Sequence, residues 1–197
     1  MESVGTSAMD IHLLFQYFKL EEVQWALDPF AGCGSIQQVA SNWGCRVVGN
    51  DLNPRHAATA QQDATQVGFW NDFDEMGGVP AVITSCWFRL LDLLAPLVCA
   101  RVTDVACLHV PPLWVTSTTE ARQRWLNDLA EADRMILVTG LPVGPLGKRC
   151  AWLVVTKSPG RWRELVRHAT THTASWMALP VLRKAAADVM GGRVERS

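Results

Sequence analysis

The 197-residue sequence has no apolar run near the ~18 residues needed to cross a bilayer, so no membrane span is expected. Its opening, MESVGTSAMD, lacks the basic stretch followed by an apolar one that marks a secretory signal. Six cysteines, at 33, 45, 86, 99, 107 and 150, make no CxxC pair and no metal-ligand spacing with histidine. Several fall inside expected strands and helices, which reads as reduced thiols in a cytosolic or nuclear protein. There is no internal repeat and no linker, so a single domain over residues 1–197 is expected. What is present is apolar: hydrophobic residues make up 49% of the chain and are spread along it, which excludes a disordered chain and suffices for an α/β core.

The net charge of −1 conceals an asymmetry. Residues 1–100 hold four Lys or Arg against eleven Asp or Glu, and the remainder holds fourteen against eight. A basic half is able to meet phosphates, whereas a pI near 6.5 argues against strong general nucleic-acid binding. A solvated surface with a chance imbalance is the plainer alternative.

DIHLLFQYF sets Ile11, Leu14, Phe15 and Phe18 on one face at helical spacing. Then come a strand (VQWALDPF), a helix from Ser35 to Trp43 stopped by Gly44, and a second strand (CRVVGNDL). A helix is expected over 55–68 and a polar loop, NDFDEMGG, after it. VPAVITSCWF, DVACLHV, RMILVTGL and CAWLVVTK read as further strands. RLLDLLAPLVCARV, with Pro96 as a kink, and STTEARQRWLNDLAEA read as helices, with VLRKAAADVM as a last one. Alternating strands and helices predict a mostly parallel sheet covered on both faces. The final two strands are joined by about eight residues, too few for a parallel crossover, so they should be antiparallel.

The segment LDPFAGCGSIQQVASNWGCRVVGNDLNP carries the strongest functional signal. Ligands of open α/β sheets bind beyond the carboxyl ends of the strands, where strand order reverses. Gly32 and Gly34 allow a sharp turn and close backbone approach there. Gln37 stands where a dinucleotide fingerprint has its third glycine, and Gly147-Lys148 lacks the rest of a P-loop. Asp51, at the second strand's end, is placed to accept both hydroxyl hydrogens of a ribose. Asp28, just before the glycines, repels a pyrophosphate but tolerates an ammonium or sulfonium. A nucleoside with a cationic amino-acid tail satisfies both acids, and S-adenosylmethionine is such a molecule. Acids that merely cap turns are the plain alternative.

DPFAGCGS resembles the first motif of class I S-adenosylmethionine-dependent methyltransferases, in the form found among amino-methylating DNA and RNA enzymes; VVGNDLNP resembles their second motif and QQDA their third. The resemblance covers residues 23 to about 157 and implies a Rossmann-like sheet with an antiparallel last strand. It implies S-adenosylmethionine as cofactor, held by Asp28, Phe30, Gly32, Gly34, Asp51, Asn53 and, near the adenine, Asp63. VITSCWF falls where the family carries TSPPY or DPPY. By position, Ser85 is then the polar acceptor of the target amine, Cys86 supplies the accepting carbonyl, and Trp87 or Phe88 is the ring that stacks on an extruded base. Cys86 and Trp87 replace the two prolines that stiffen this loop.

The implied activity is direct methyl transfer to an exocyclic amine, adenine N6 favoured, with DNA or RNA as substrate and sequence choice either low or supplied by a protein partner. Two alternatives stand beside it: a catalytically degenerate binding module working in a complex, and a methyltransferase for small molecules or proteins. A C5-type cysteine nucleophile at Cys86 is disfavoured, because Ser85 precedes it instead of proline and no ENV-like segment is present. His109, beside Pro111-Pro112, is read as a core histidine with a lesser claim to meet substrate. Trp87, Trp114, Trp152 and Trp176 are candidate stacking platforms, and Arg161, Arg163 and Arg167 a candidate phosphate patch.

Overall fold

In the computed structural model, the residues described are 6–18, 20–53, 56, 58, 60–111, 114–115, 119–132, 134–138, 151–161 and 163–164. The loop PVGPLGKR, Trp176, Arg167 and the expected last helix lie outside them. Six strands form one sheet: β1 (Ala26–Asp28), β2 (Val47–Gly49), β3 (Val79–Thr84), β4 (Val102–Val110), β5 (Met135–Val138) and β6 (Ala151–Thr156). Their order is β2-β1-β3-β4-β6-β5. The first four run parallel, and β6 is antiparallel to both β4 and β5, as the short connection required.

Both faces of the sheet are covered, and the strand period of two divides its residues between them. Ala81, Ile83, Val105, Cys107 and Trp152 pack with α1 (Ala8–Phe18) and α2 (Ser35–Asn42). Val82, Ala106, Leu108 and Leu153 pack on the other side with α3 (Val67–Glu75), α4 (Leu91–Arg101) and α5 (Glu120–Glu131). The α1 stripe is as expected, with Ile11, Leu14, Phe15 and Phe18 each at most 1% exposed. Pro96 lies within α4, and Thr119 caps α5 by accepting the Arg122 amide at 3.4 Å. Among the described residues no helix is long and apolar enough to cross a membrane.

The expected helix over 55–68 is misplaced. Helix α3 begins at Val67 and occupies most of the stretch read as a polar loop. Phe69 and Trp70 supply its buried face, and the Trp70 indole donates to the Ala64 carbonyl at 2.9 Å. Asp72, Asp74 and Glu75 lie on its exposed side, so their polarity marks a helix surface. Ahead of α3 the chain touches the sheet edge through a single parallel bridge, Ala60 to Asn50.

Candidate functional site

Strand order reverses between β1 and β3, whose carboxyl ends therefore diverge into a crevice. A cleft of about 970 Å³ opens there, large enough for a nucleoside with its tail and part of a second ring. Most of its wall comes from three segments, the glycine loop after β1, the turn after β2 with residues 62–65, and the turn after β3, with Thr6 ahead of α1 added.

The glycine loop is shaped by two left-handed residues, Gly32 at φ 54° and Gly34 at φ 83°. A Cβ built on Gly32 would meet nothing within 4 Å, so this part of the loop faces open space. Asp51 holds the loop in place: its Oδ2 accepts the Gly32 amide at 2.8 Å, and its Oδ1 accepts the Asn53 amide at 2.8 Å. His56 Nδ1 lies 3.1 Å from that same Oδ1. A carboxylate has about four acceptor positions; two take backbone amides and His56 crowds a third, so capacity remains on Oδ2 for a ribose hydroxyl.

Asp28 sits lower than the sequence reading placed it. It is 1% exposed, and its carboxylate accepts from Thr84 Oγ1 at 2.7 Å, the Phe30 amide at 3.2 Å and Gln37 Nε2 at 3.4 Å. It ties the tips of β1 and β3 together beneath the loop. Burial pushes its carboxyl up to about 7, hydrogen bonds from Thr84, Phe30 and Gln37 oppose that, and the nearby Asp51 charge adds a little to the rise. A cation in the cleft would restore its ionisation, whereas an anion would suppress it further.

This raised pKa has a testable sign. The folded chain holds the Asp28 proton at pH values where the unfolded chain, near 3.8, has lost it. The corresponding stability is present below pH ~4 and is lost as pH rises through about 7. Asp10 and Asp104 are raised by burial and act in the same direction, so the test is a comparison. Urea denaturation across pH 4–8 should give a flatter decline for Asp28→Asn than for wild type; equal slopes would refute the assignment.

Asn50, assigned no role from the sequence, and Gln37 complete the frame. Asn50 is 1% exposed and staples the ends of β1 and β2 to the segment at 62–65, donating to the Pro29 carbonyl at 3.1 Å and the Gln62 carbonyl at 2.9 Å and accepting the Gln62 amide at 3.0 Å. Gln37 occupies the space a third glycine would leave open, so close that a Cβ on Gly49 would lie 2.5 Å from its Nε2. Asp63 follows Asn50's partner directly. Its Oδ1 accepts the Thr65 amide at 3.0 Å and hydroxyl at 2.7 Å, and those bonds hold its carboxyl below the usual range. Phe30, Asn53 and Asp63 all line the cleft.

On the opposite wall stand Ser85, Trp87 and Arg89. Trp87 is 50% exposed, with the Arg89 guanidinium 5.4 Å from its ring centroid. Phe88 is also exposed but is not on the cleft lining, because a 3-10 turn over Phe88–Leu90 carries it past the rim. Of the two candidate rings, the structure brings Trp87 to the site. Trp87 has φ −60° and ψ 127°, a conformation a proline would also adopt, so the backbone here takes a proline-compatible shape without the prolines. Cys86 is buried, and burial pushes its thiol up to about 12, so no thiolate nucleophile exists there near neutral pH.

The remaining candidates change role. Trp152 is fully buried, and Trp114 is buried with its indole bonded to Asp92, so both are core residues. Arg161 reaches Asp104 at 3.2 Å, Glu164 at 2.8 Å and Glu22 at 3.7 Å, which removes it from a phosphate patch; Arg163 is exposed. Arg101, Arg122 and Arg124 likewise reach acids, so the basic balance of the second half does not make a free cationic face of them.

No protein-family profile matches the chain, and no curated protein matches its sequence. Solved structures do match its shape. The O-methyltransferase TomG from Streptomyces achromogenes, in complex with SAM, superposes with a TM-score of 0.58 at 12% identity, over 79% of this chain and 83% of that one. A type I restriction-modification system methyltransferase subunit from Streptococcus thermophilus gives 0.56 at 10% identity, over 88% of this chain. An rRNA methylase from Streptococcus thermophilus gives 0.52 at 10%, over 80% and 99%. The fold is that of the class I methyltransferases. This methyltransferase fold spans 53% of that restriction-modification subunit and 44% of another, from Vibrio vulnificus YJ016.

Proposed function

We propose that this chain is an S-adenosylmethionine-dependent methyltransferase acting on an exocyclic amine of a nucleic-acid base, with adenine N6 the favoured position. The observation that carries the reading is one cleft with a ribose-type acid and open glycine loop on one wall and Ser85 beside an exposed tryptophan on the other. The chemistry of the lining fits the cofactor. Asp51 and Asp63, joined by Asp28 when a cation restores its ionisation, outweigh Arg89 around the cleft, which favours a cationic ligand. S-adenosylmethionine, when bound, supplies a methyl group activated by the adjoining sulfonium.

The chain's own residues do the rest. Asp51 holds a ribose hydroxyl, Phe30 and Asn53 line the nucleoside's path, and Asp63 lies toward the adenine. Ser85 accepts a hydrogen bond from the target amine, with the Cys86 carbonyl as second acceptor, so that the nitrogen lone pair is aimed into the cleft. Trp87 stacks on the extruded base and Arg89 meets a phosphate beside it. The restriction-modification and rRNA enzymes among the structural relatives support a nucleic-acid substrate; the O-methyltransferase among them marks the small-molecule alternative.

Trp87→Ala tests the platform. Base stacking contributes about 1–3 kcal/mol, so affinity for single-stranded DNA or RNA should fall by roughly 5- to 150-fold, measured by fluorescence anisotropy. Affinity for S-adenosylhomocysteine should stay within about twofold. An unchanged nucleic-acid affinity would move the substrate to small molecules or proteins.

A further inference from the structure

Behind Ser85 lies a polar chain that cofactor binding leaves unused. Ser85 Oγ is 3.2 Å from His109 Nδ1, and the other ring nitrogen, Nε2, is 4.0 Å from Asp10 Oδ2. These groups come from three elements: the turn after β3, strand β4 and helix α1. His109 is 6% exposed and Asp10 4%, with β6 presenting Trp152 to the imidazole at 4.8 Å between centroids. Among the described residues, His109 Nε2 and Asp10 Oδ1 have no hydrogen-bond partner, nor has Thr6 Oγ1, which lines the cleft. Each unpaired buried polar atom costs about 1–3 kcal/mol, and a histidine serving only as packing would be replaceable by an apolar residue at no such cost.

We propose that His109 positions the Ser85 hydroxyl and takes up, through it, the proton released when the acceptor amine is methylated, with Asp10 at the inner end of the relay. The proposal rests on the methyl-transfer reading. In the neutral ring, Nδ1 accepts and Nε2 carries the hydrogen, facing Asp10. Ser85 therefore spends its hydrogen on the ring and keeps its oxygen lone pairs for the amine. This is the orientation that aims the nitrogen lone pair away from Ser85 and toward the methyl carbon. A ring with the opposite tautomer would leave Ser85 free to donate to that lone pair and block it.

The proton balance closes. The acceptor nitrogen forms a bond to the methyl carbon with its lone pair while the carbon–sulfur electron pair leaves with sulfur. The nitrogen, now positive, gives one proton to Ser85 Oγ as Ser85 passes its own to His109 Nδ1. A neutral methylamine and an imidazolium beside Asp10 result, and the proton then leaves to water. Burial lowers His109 to about 4 and pushes Asp10 up, and both shifts favour movement of the proton from the ring toward the carboxylate. A base this weak does not deprotonate an alcohol or an alkylammonium, but it suffices for the cation on a base's methylated exocyclic nitrogen, which ring conjugation makes a far stronger acid. The relay thus suits the exocyclic amine of a base and disfavours a hydroxyl.

Nitrogen-15 NMR of the full chain with labelled histidine tests the arrangement without turnover. The expected spectrum at pH 7, with and without S-adenosylhomocysteine, shows the His109 ring protonated on Nε2, and its Nδ1 signal shifts in Ser85→Ala. The opposite tautomer, or ring signals indifferent to Ser85→Ala, overturns the proposal. Turnover is then measured on single-stranded DNA and RNA carrying adenine. His109→Asn retains an acceptor near the Nδ1 position but takes up no proton, and should lower kcat by about 30- to 100-fold with KM within about twofold. An unchanged kcat overturns the relay while leaving the methyl-transfer reading intact. A wild-type chain that binds S-adenosylhomocysteine yet methylates no amine in either nucleic acid overturns the relay and the amine reading together. Failure to bind S-adenosylhomocysteine removes the methyl-transfer reading itself, and the relay with it.

Discussion

Asp51→Ala is expected to weaken S-adenosylhomocysteine binding by about 1.5–3 kcal/mol, roughly 10- to 150-fold, in a calorimetric titration. Two losses combine in that figure. A ribose hydroxyl loses a charged acceptor, and the Gly32 amide loses the partner that fixes the loop at 2.8 Å. Asp51→Asn separates them, because an amide oxygen still serves Gly32 while the negative charge is gone. It should fall between wild type and alanine. If Asp51→Ala binds within twofold of wild type, the acid merely caps its turn and the cofactor assignment at this wall is wrong.

The second large effect is on stability. Asn50→Leu keeps the branched shape at some cost in crowding but leaves the Pro29 carbonyl and both backbone groups of Gln62 without their partner. Unpaired buried polar groups cost about 1–3 kcal/mol each, less where water reaches them, so a loss of roughly 2–4 kcal/mol is expected. For a chain of this size that corresponds to a Tm lower by roughly 5–15 °C in a circular-dichroism melt. Cofactor affinity should fall as well, since Asn50 positions Asp51 on one side and the Asp63 segment on the other. A variant within about 1 kcal/mol of wild type would show that the three segments hold together without the staple.

The parts of this protein legible in its sequence are those governed by local rules. The glycine loop and the acids at the ends of β1 and β2 could be read because a turn of that shape requires left-handed residues at Gly32 and Gly34. The antiparallel β5–β6 pair followed from a connection too short to cross over. Helix α3 was misplaced because its solvent side carries three acids in nine residues, which masked the buried Phe69 and Trp70. Roles that depend on distant partners left no local trace. Thr84 serves Asp28 from 56 positions away, and Asn50 reaches Gln62 across 12. Arg161 looked like a free cation in sequence and is neutralised by acids at 22, 104 and 164. The choice of Trp87 over Phe88 turned on a 3-10 turn three residues long, below what periodicity resolves.

The cofactor pocket is the claim on which every other inference depends, and isothermal titration calorimetry of the full wild-type chain with S-adenosylmethionine and S-adenosylhomocysteine tests it directly. The account predicts saturable one-site binding of both with Kd below about 100 μM, near −5.5 kcal/mol or tighter, and loss of that binding in Gly32→Val, where a branched side chain would fill the open face of the loop and strain a backbone at φ 54°. No binding of either nucleoside by the wild-type chain at millimolar concentration would contradict it.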